Sequence, residues 1–279
     1  VYLSIPRESA MIQMPGKTRF PTRDELGIAR PAWPDPSDAR RVAEWLINAK
    51  NPCIITGRSG RNQESVEELL RLAELLAVPV MDGGRLDSLN FPTTHPLYGT
   101  GPSSRDTDVL LVFEAPVPFM IPKDQPKPDA KVVWVDVDPV QSRMKTVEHR
   151  ADLWLPVPAA SAARAIYEAA TNLLTKADMS RIAARRAKLE DRKREILAAA
   201  EKRAMEWGKR KPLHPGWVSY QLGKIMEEDT ILLDDTTSSS GSLRAHHRRA
   251  QPGTYFKSGG SSGGWGSGSA FGAKLAKPQ

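Results

Sequence analysis

Cys53-Ile54-Ile55-Thr56-Gly57-Arg58-Ser59-Gly60 passes from a short apolar run to a polar, glycine-bearing turn. Val66, Leu69, Leu70, Ala73 and Leu76 then recur at helical spacing, and Val78–Met81 is apolar again. A strand, a turn, a helix and a second strand are the parts of a βαβ unit. Asp108–Phe113 and Lys131–Asp136 add two more nearly continuous apolar runs, as expected of strands buried on both faces. Leu153–Val157 reads as a fifth strand and Ala160–Leu174 as the closing helix. Upstream, Ser37 is the expected N-cap of a helix carrying Val42, Trp45, Leu46 and Ala49 on one face. Alternating strands and helices imply a parallel sheet with right-handed crossovers. The fold class is therefore α/β: a three-layer, parallel-sheet, Rossmann-like (DHS-like) domain over residues 36–175, followed by an incomplete second α/β domain.

The 279 residues suffice for about two domains. No run of about 20 apolar residues occurs, and no basic, then apolar segment opens the chain. Cys53 stands alone, which suits a reducing compartment, so the expected location is the cytoplasm, with no membrane partner. The formal charge is +7, yet residues 161–211 hold 14 Lys/Arg and 7 Asp/Glu, which leaves 26 of each sign elsewhere. The basic excess is one segment rather than a property of the fold.

That segment, 176–212, reads as a long basic helical linker. Ile182, Leu189 and Ile196 recur every seven residues among charges. A solvated helix lying on a neighbouring surface is one reading and a nucleic-acid patch the other. No interleaved aromatic row supports stacking on bases, so no nucleic-acid partner is expected. Val1–Pro6 reads as a strand, residues 7–36 as a linker, and the start looks cut. Pro215–Met226 is helical by period, Thr230–Leu233 is a strand, and the chain stops before a next strand.

Thr56–Gly60 lies at a strand-to-helix turn, where backbone N–H groups can bind anions, but it lacks a full Gly-x-Gly-x-x-Gly, and a tight structural turn is the reading it fits better. The carboxylates of Val135-Asp136-Val137-Asp138-Pro139 suit either a ribose hydroxyl or the cap of a helix starting at Pro139. Asp234–Ser240 gathers hydroxyls at a strand's C-terminal end, where open α/β sheets bind ligands; a plain polar loop is the alternative. Ser258–Ser269 has linker composition, but Ala270, Phe271, Ala273, Leu275 and Ala276 follow as an expected packed helix, so the glycines suit a loop pressed on a ligand. His246-His247-Arg248-Arg249 reads as a solvated helix end or an anion-facing cluster. The remaining histidines, His95, His149 and His214, show no metal-ligand spacing, and no nucleophile–base arrangement can be argued.

Several stretches together resemble the thiamine-diphosphate enzymes of the acetolactate synthase and benzoylformate decarboxylase group. They are Val1–Glu8, Asn90-Phe91-Pro92-Thr93-Thr94-His95-Pro96-Leu97, Val135–Pro139, and Pro252-Gly253-Thr254-Tyr255 through Leu275-Ala276, in the family's order. The resemblance implies that residues 1–35 are the tail of a pyrimidine-binding domain and its linker, 36–175 the central domain, and 213–279 the start of the diphosphate-binding domain. It implies decarboxylation or carboligation of 2-oxo acids through the thiazolium C2 carbanion, with thiamine diphosphate and Mg2+. It places Thr237 and Ser238 at the diphosphate, and Ser261 and Gly263 against the aminopyrimidine and thiazolium. It puts the activating glutamate before Val1 and the Gly-Asp-Gly…Asn metal motif after Gln279, and implies a homodimer or homotetramer. The sequence departs where Gly263 replaces a bulky Leu, Ile or Met and Gly268 replaces Pro. Tyr98–Pro102 does not match the synthase flavin segment, which leaves FAD doubtful, and 117–123 lacks the decarboxylase histidine. The competing functional class is a catalytically idle module binding an adenine nucleotide for regulation.

Overall fold

The structure is a computed structural model that describes residues 6–13, 16, 19–22, 24–27, 30–83, 87–140, 149–258 and 263–278. The chain divides into two units, Val1–Pro31 and Ala32–Gln279. The first holds a short helix, α1 (Arg7–Met11), with no buried residue, within the stretch expected to be linker. Its other local feature is Glu25, which accepts from Arg19 and from the Thr22 amide, both at 2.7 Å. The strand expected over Val1–Pro6 falls almost wholly outside the described residues.

In the second unit the expected sheet forms. Its elements run α2 (Pro36–Asn48), β1 (Pro52–Thr56), α3 (Gln63–Leu76), β2 (Val80–Asp82), β3 (Val109–Phe113), β4 (Lys131–Val135), β5 (Leu153–Leu155) and α4 (Ala159–Leu173). The strand order is β2-β1-β3-β4-β5 and every pairing is parallel. That order reverses between β1 and β3, the place where doubly wound sheets take ligands. Strand alternation sends Ile54, Leu111 and Val133 to the face covered by α2, α3 and α4. Cys53, Ile55, Leu110, Val112, Val132 and Trp134 face the other way, under Phe119 and Ala115 of the connection after β3. Each fully buried Leu or Val of this core contributes about 1.5–3 kcal/mol. The cap of α2 is Asp35, not Ser37: its Oδ1 accepts from the Ser37 amide at 2.8 Å, with Pro36 at the first helical position. Proline has no N–H to be capped, which moves the cap one residue ahead of it.

The basic segment is one helix, α5 (Lys176–Gly208), opened by a Thr175–Asp178 capping box. Many of its charges are exposed, as a solvated helix lying on a neighbouring surface would have them, but several basic side chains reach that surface. Arg181 donates to Ile47 O at 2.7 Å, and Arg185 to Ala49 O at 2.8 Å and Leu76 O at 2.5 Å. Arg186 reaches Glu74 O. These are the open carbonyls at the C-terminal ends of α2 and α3, where the helix dipole also favours a cation. Ile182 is buried against the same core and Leu189 packs beside it, whereas Ile196 is 40% exposed. The apolar repeat therefore seats only the first half of the helix.

Beyond it lie α6 (Pro215–Ile225), β6 (Leu232–Asp234), α7 (Ser240–His246), β7 (Tyr255–Lys257) and α8 (Trp265–Ala276). β6 and β7 pair in parallel as a second, two-stranded sheet. α6 and α7 approach at Gly223, where a Cβ would stand 1.9 Å from His246 O. The expected packed helix is present as α8, but nothing in it is buried: Phe271 is 76% and Leu275 82% exposed. The sequence pattern marks an apolar face without saying what covers it.

Arg185 satisfies two helix ends from a half-buried site. Arg185→Met, which keeps the apolar stem, should cost about 1–3 kcal/mol in urea unfolding. Exposed Lys188→Met is the control and should stay within about 0.5 kcal/mol. Equal effects in the two variants would reject the capping role of Arg185.

Candidate functional site

At the first βα turn the chain fills its own crevice. Asn90 bridges the turn: its Oδ1 accepts from Gly60 N at 2.8 Å and its Nδ2 donates to Gly57 O at 3.0 Å. Gly57 donates its own amide to Phe113 O at 3.1 Å. Glu114 Oε1 takes the Ala159 amide at the start of α4, 3.2 Å away. Of the two readings of Thr56–Gly60, the tight turn is the one these bonds describe. A cavity of about 510 Å³ lies beside it, lined by Arg61, Asp87, Ser88, Gly253 and Lys257 among others. At Val135–Pro139, Asp136 Oδ1 accepts from Asp138 N at 3.1 Å, and residues 139–140 are a turn. The helix expected to start at Pro139 runs into residues 141–148, outside the described set.

The second cluster is built on Asp234, at the end of β6 and 1% exposed. Its Oδ1 accepts from Thr236 N at 2.8 Å and Thr236 Oγ1 at 2.5 Å. Its Oδ2 accepts from Tyr255 OH at 2.7 Å and Lys257 Nζ at 2.9 Å. Burial alone would raise this carboxyl, but the bonds from Thr236, Tyr255 and Lys257 outweigh it and hold it below the ordinary carboxylate range. Lys257 Nζ also donates to Thr236 O at 2.8 Å. Asp234 is thus spent on shaping the loop, and the hydroxyls just after it are left outward: Thr237 and Ser238 are exposed. Asp235 Oδ2 accepts from Gly266 N at 3.0 Å, which draws the first turn of α8 to the same loop. Gly263 stands just before that helix, and a Cβ on it would meet nothing within 4 Å. Thr237, Ser238 and Gly263 therefore belong to segments held side by side. Ser261 lies outside the described residues.

The His246–Arg249 cluster is neither a solvated helix end nor an anion-facing group as a whole. Arg249 is 1% exposed and holds the turn after α6, donating to Glu227 O at 2.6 Å and Thr230 O at 2.9 Å. Its carbonyl accepts from Thr93 N and Oγ1, at 2.8 and 3.0 Å, which fixes the second sheet to the central loop. His247 is fully buried and stacks on Tyr255 with centroids 4.7 Å apart, and neither ring nitrogen has a partner. Burial, with Arg249 nearby, pushes it down to about 4. Sequence reasoning gave no role to Tyr255 and Lys257 and did not separate Asp235 and Arg249 from their clusters; the run of Asp234-Asp235 before five hydroxyl residues was the available signal.

With this geometry in hand, the comparisons are specific. Residues 39–158 match the thiamine pyrophosphate enzyme central domain. This part of the chain is similar to the central domain of thiamine-diphosphate enzymes. Its fold is similar to that of a benzoylformate decarboxylase from Polynucleobacter necessarius, at TM-score 0.68 and 18% identity over 97% of this chain and 48% of that one. A 4-hydroxybenzoylformate decarboxylase from Rhodococcus jostii gives TM-score 0.64 and 17% identity over 98% and 48%. A thiamin diphosphate-dependent enzyme from Mycobacterium smegmatis gives 0.63 and 18% over 90% and 47%. The chain thus spans about half the length of the structures it matches. No helix among the described residues is long and apolar enough to cross a membrane.

The neutral, buried His247 sets a pH signature. The unfolded chain protonates this imidazole near its ordinary value of 6.5, and the folded chain only near 4. Its contribution is therefore complete above 6.5 and is lost as pH falls toward 4. His247→Phe, which keeps the stack on Tyr255, should remove on the order of 1–2 kcal/mol of the stability lost between pH 7 and 5. Identical pH slopes for the two proteins in urea unfolding would contradict this.

Proposed function

We propose that this chain is part of a thiamine-diphosphate-dependent lyase or transferase acting on 2-oxo acids, by decarboxylation or carboligation. The observation that carries the reading is the Asp235–Gly266 hydrogen bond of 3.0 Å, which sets the hydroxyl loop against the start of α8. The donor set fits the cofactor. Thr237 and Ser238 offer exposed neutral hydroxyls to diphosphate oxygens, and Gly263 leaves clear space where the aminopyrimidine and thiazolium are expected. Bound thiamine diphosphate supplies a carbon nucleophile and an electron sink. The chain's own part is to hold and orient: Lys257 and Tyr255 fix Asp234, Asp234 fixes Thr236, and Thr236 sets the direction of the next two hydroxyls.

Mg2+ is the expected companion of the diphosphate. No group of three His, Cys, Asp or Glu among the described residues could hold a metal ion. The activating glutamate and metal motif that the resemblance expects have no counterpart in the chain's residues. A homodimer or homotetramer, with the cofactor between this segment and a neighbour's pyrimidine-binding domain, completes the proposal.

Two measurements test it. The purified 279-residue chain, given thiamine diphosphate and Mg2+, should turn over no 2-oxo acid, and any turnover would overturn its reading as a part. In the protein expressed from its natural coding sequence, Thr237→Val with Ser238→Ala should weaken cofactor binding by about 1–3 kcal/mol. Unchanged affinity would put the diphosphate in another loop. Gly263→Leu restores the bulky residue that the resemblance puts there, meets no protein atom within 4 Å, and should still bind the cofactor; loss of binding would show that close approach of the backbone matters there.

A further inference from the structure

A second cavity, of about 350 Å³, opens between residues 93–99 of the central domain, α5 and the end of α7. Lys193, Arg244 and Arg248 line it and no carboxylate does. Ile196, Leu197 and Ala200 follow Lys193 along the same face of α5 and give the cavity an apolar side, with Ala245 of α7 also in the lining. Lys193 is 7% exposed, and its ammonium donates to Thr93 O at 2.9 Å and Tyr98 O at 2.8 Å. Two of its three N–H groups are thereby used by neutral acceptors, and among the described residues no carboxylate pairs with it. Burial pulls this group down to about 8, so it is still mainly a cation at neutral pH. Arg248 takes the left-handed conformation, φ 46°, at the end of α7. Its neighbour Arg249 turns inward to the turn after α6 while Arg248 lines the cavity. Asp82 interacts with Arg244 but lies outside the lining, where it accepts from Tyr98 OH. Three cations over an apolar wall, in a concave site, make the chemistry of an anion with an apolar body.

We infer that this cavity binds a small organic monoanion, a carboxylate carrying an aliphatic or aromatic body. The acid group meets Lys193, Arg244 and Arg248, and the body lies on Ile196 and Leu197. The lining shares no residue with Asp234–Ser240 or Gly263, and the inference does not rest on the cofactor reading. It does have a consequence for that loop. Arg244 belongs to α7, whose first turn follows Thr237–Ser239 directly, so occupancy ties α7 to α5 and steadies the hydroxyl loop.

The probe is hexanoate, titrated calorimetrically into the protein, with hexylamine and hexanol as arms of the same body and different head. Hexanoate should bind saturably and the other two should not. Arg248→Gln removes a charge at the rim, and Ile196→Glu places a carboxylate on the apolar wall. Both positions are solvent-accessible, so the fold should survive, which far-UV circular dichroism checks. Each variant should weaken hexanoate by about tenfold or more. Binding of hexylamine or hexanol as tight as hexanoate, unchanged hexanoate affinity in either variant, or no saturable binding at millimolar concentration would overturn the inference.

Discussion

Charged side chains donating to open backbone carbonyls hold this molecule's separate parts together. Helices end with carbonyl groups that have no partner within the helix, and buried ones left open are costly. Here the partners come from far along the chain. Arg181 and Arg185 answer the end of α2, Arg185 and Arg186 the end of α3, and Arg249 the turn that follows α6. Lys193 does the same for the loop at Thr93 and Tyr98. A hydrogen bond from a charged donor contributes about 1.5–3 kcal/mol, so a few such bonds rival the burial of several Leu side chains. α5 has only a thin apolar stripe, and without its arginines it would have little reason to lie where it does.

This arrangement also positions the hydroxyl loop. Thr93 is met from both sides, by Lys193 on its carbonyl and by the Arg249 carbonyl on its amide and hydroxyl. The second sheet is therefore indexed to the central domain through one residue of the Asn90–Leu97 stretch. Lys257 continues the link, donating its amide to Asp87 O and its ammonium to Asp234. From Asp234 the chain passes to Thr236 and then to Thr237 and Ser238. The candidate site inherits its geometry from contacts made well away from it.

The sheet was legible because its strands are buried on both faces, so Cys53–Thr56, Asp108–Phe113 and Lys131–Asp136 read as apolar runs that nothing else in the chain imitates. The hydroxyls of Asp234–Ser240 stood out as a candidate because so many gather at one strand end. What stayed hidden was the use of charge. A carbonyl acceptor has no letter in the sequence, so Arg185 and Arg249 looked like solvated cations. His247 looked polar for want of any sign that Tyr255 would stack on it. The apolar face of α8 was visible, but periodicity reports an apolar face and not its cover. Asp35 was missed as a cap because Pro36 separates it from the obvious serine.

The central claim is that the Asp235–Ser240 loop and the start of α8 form one surface for thiamine diphosphate. Amide hydrogen exchange, followed in the naturally expressed protein with and without thiamine diphosphate and Mg2+, reads both segments at once. The account predicts that the cofactor slows exchange in the two segments together, at the same half-saturating concentration. Protection of one segment alone, or of neither while the cofactor is bound, would contradict it.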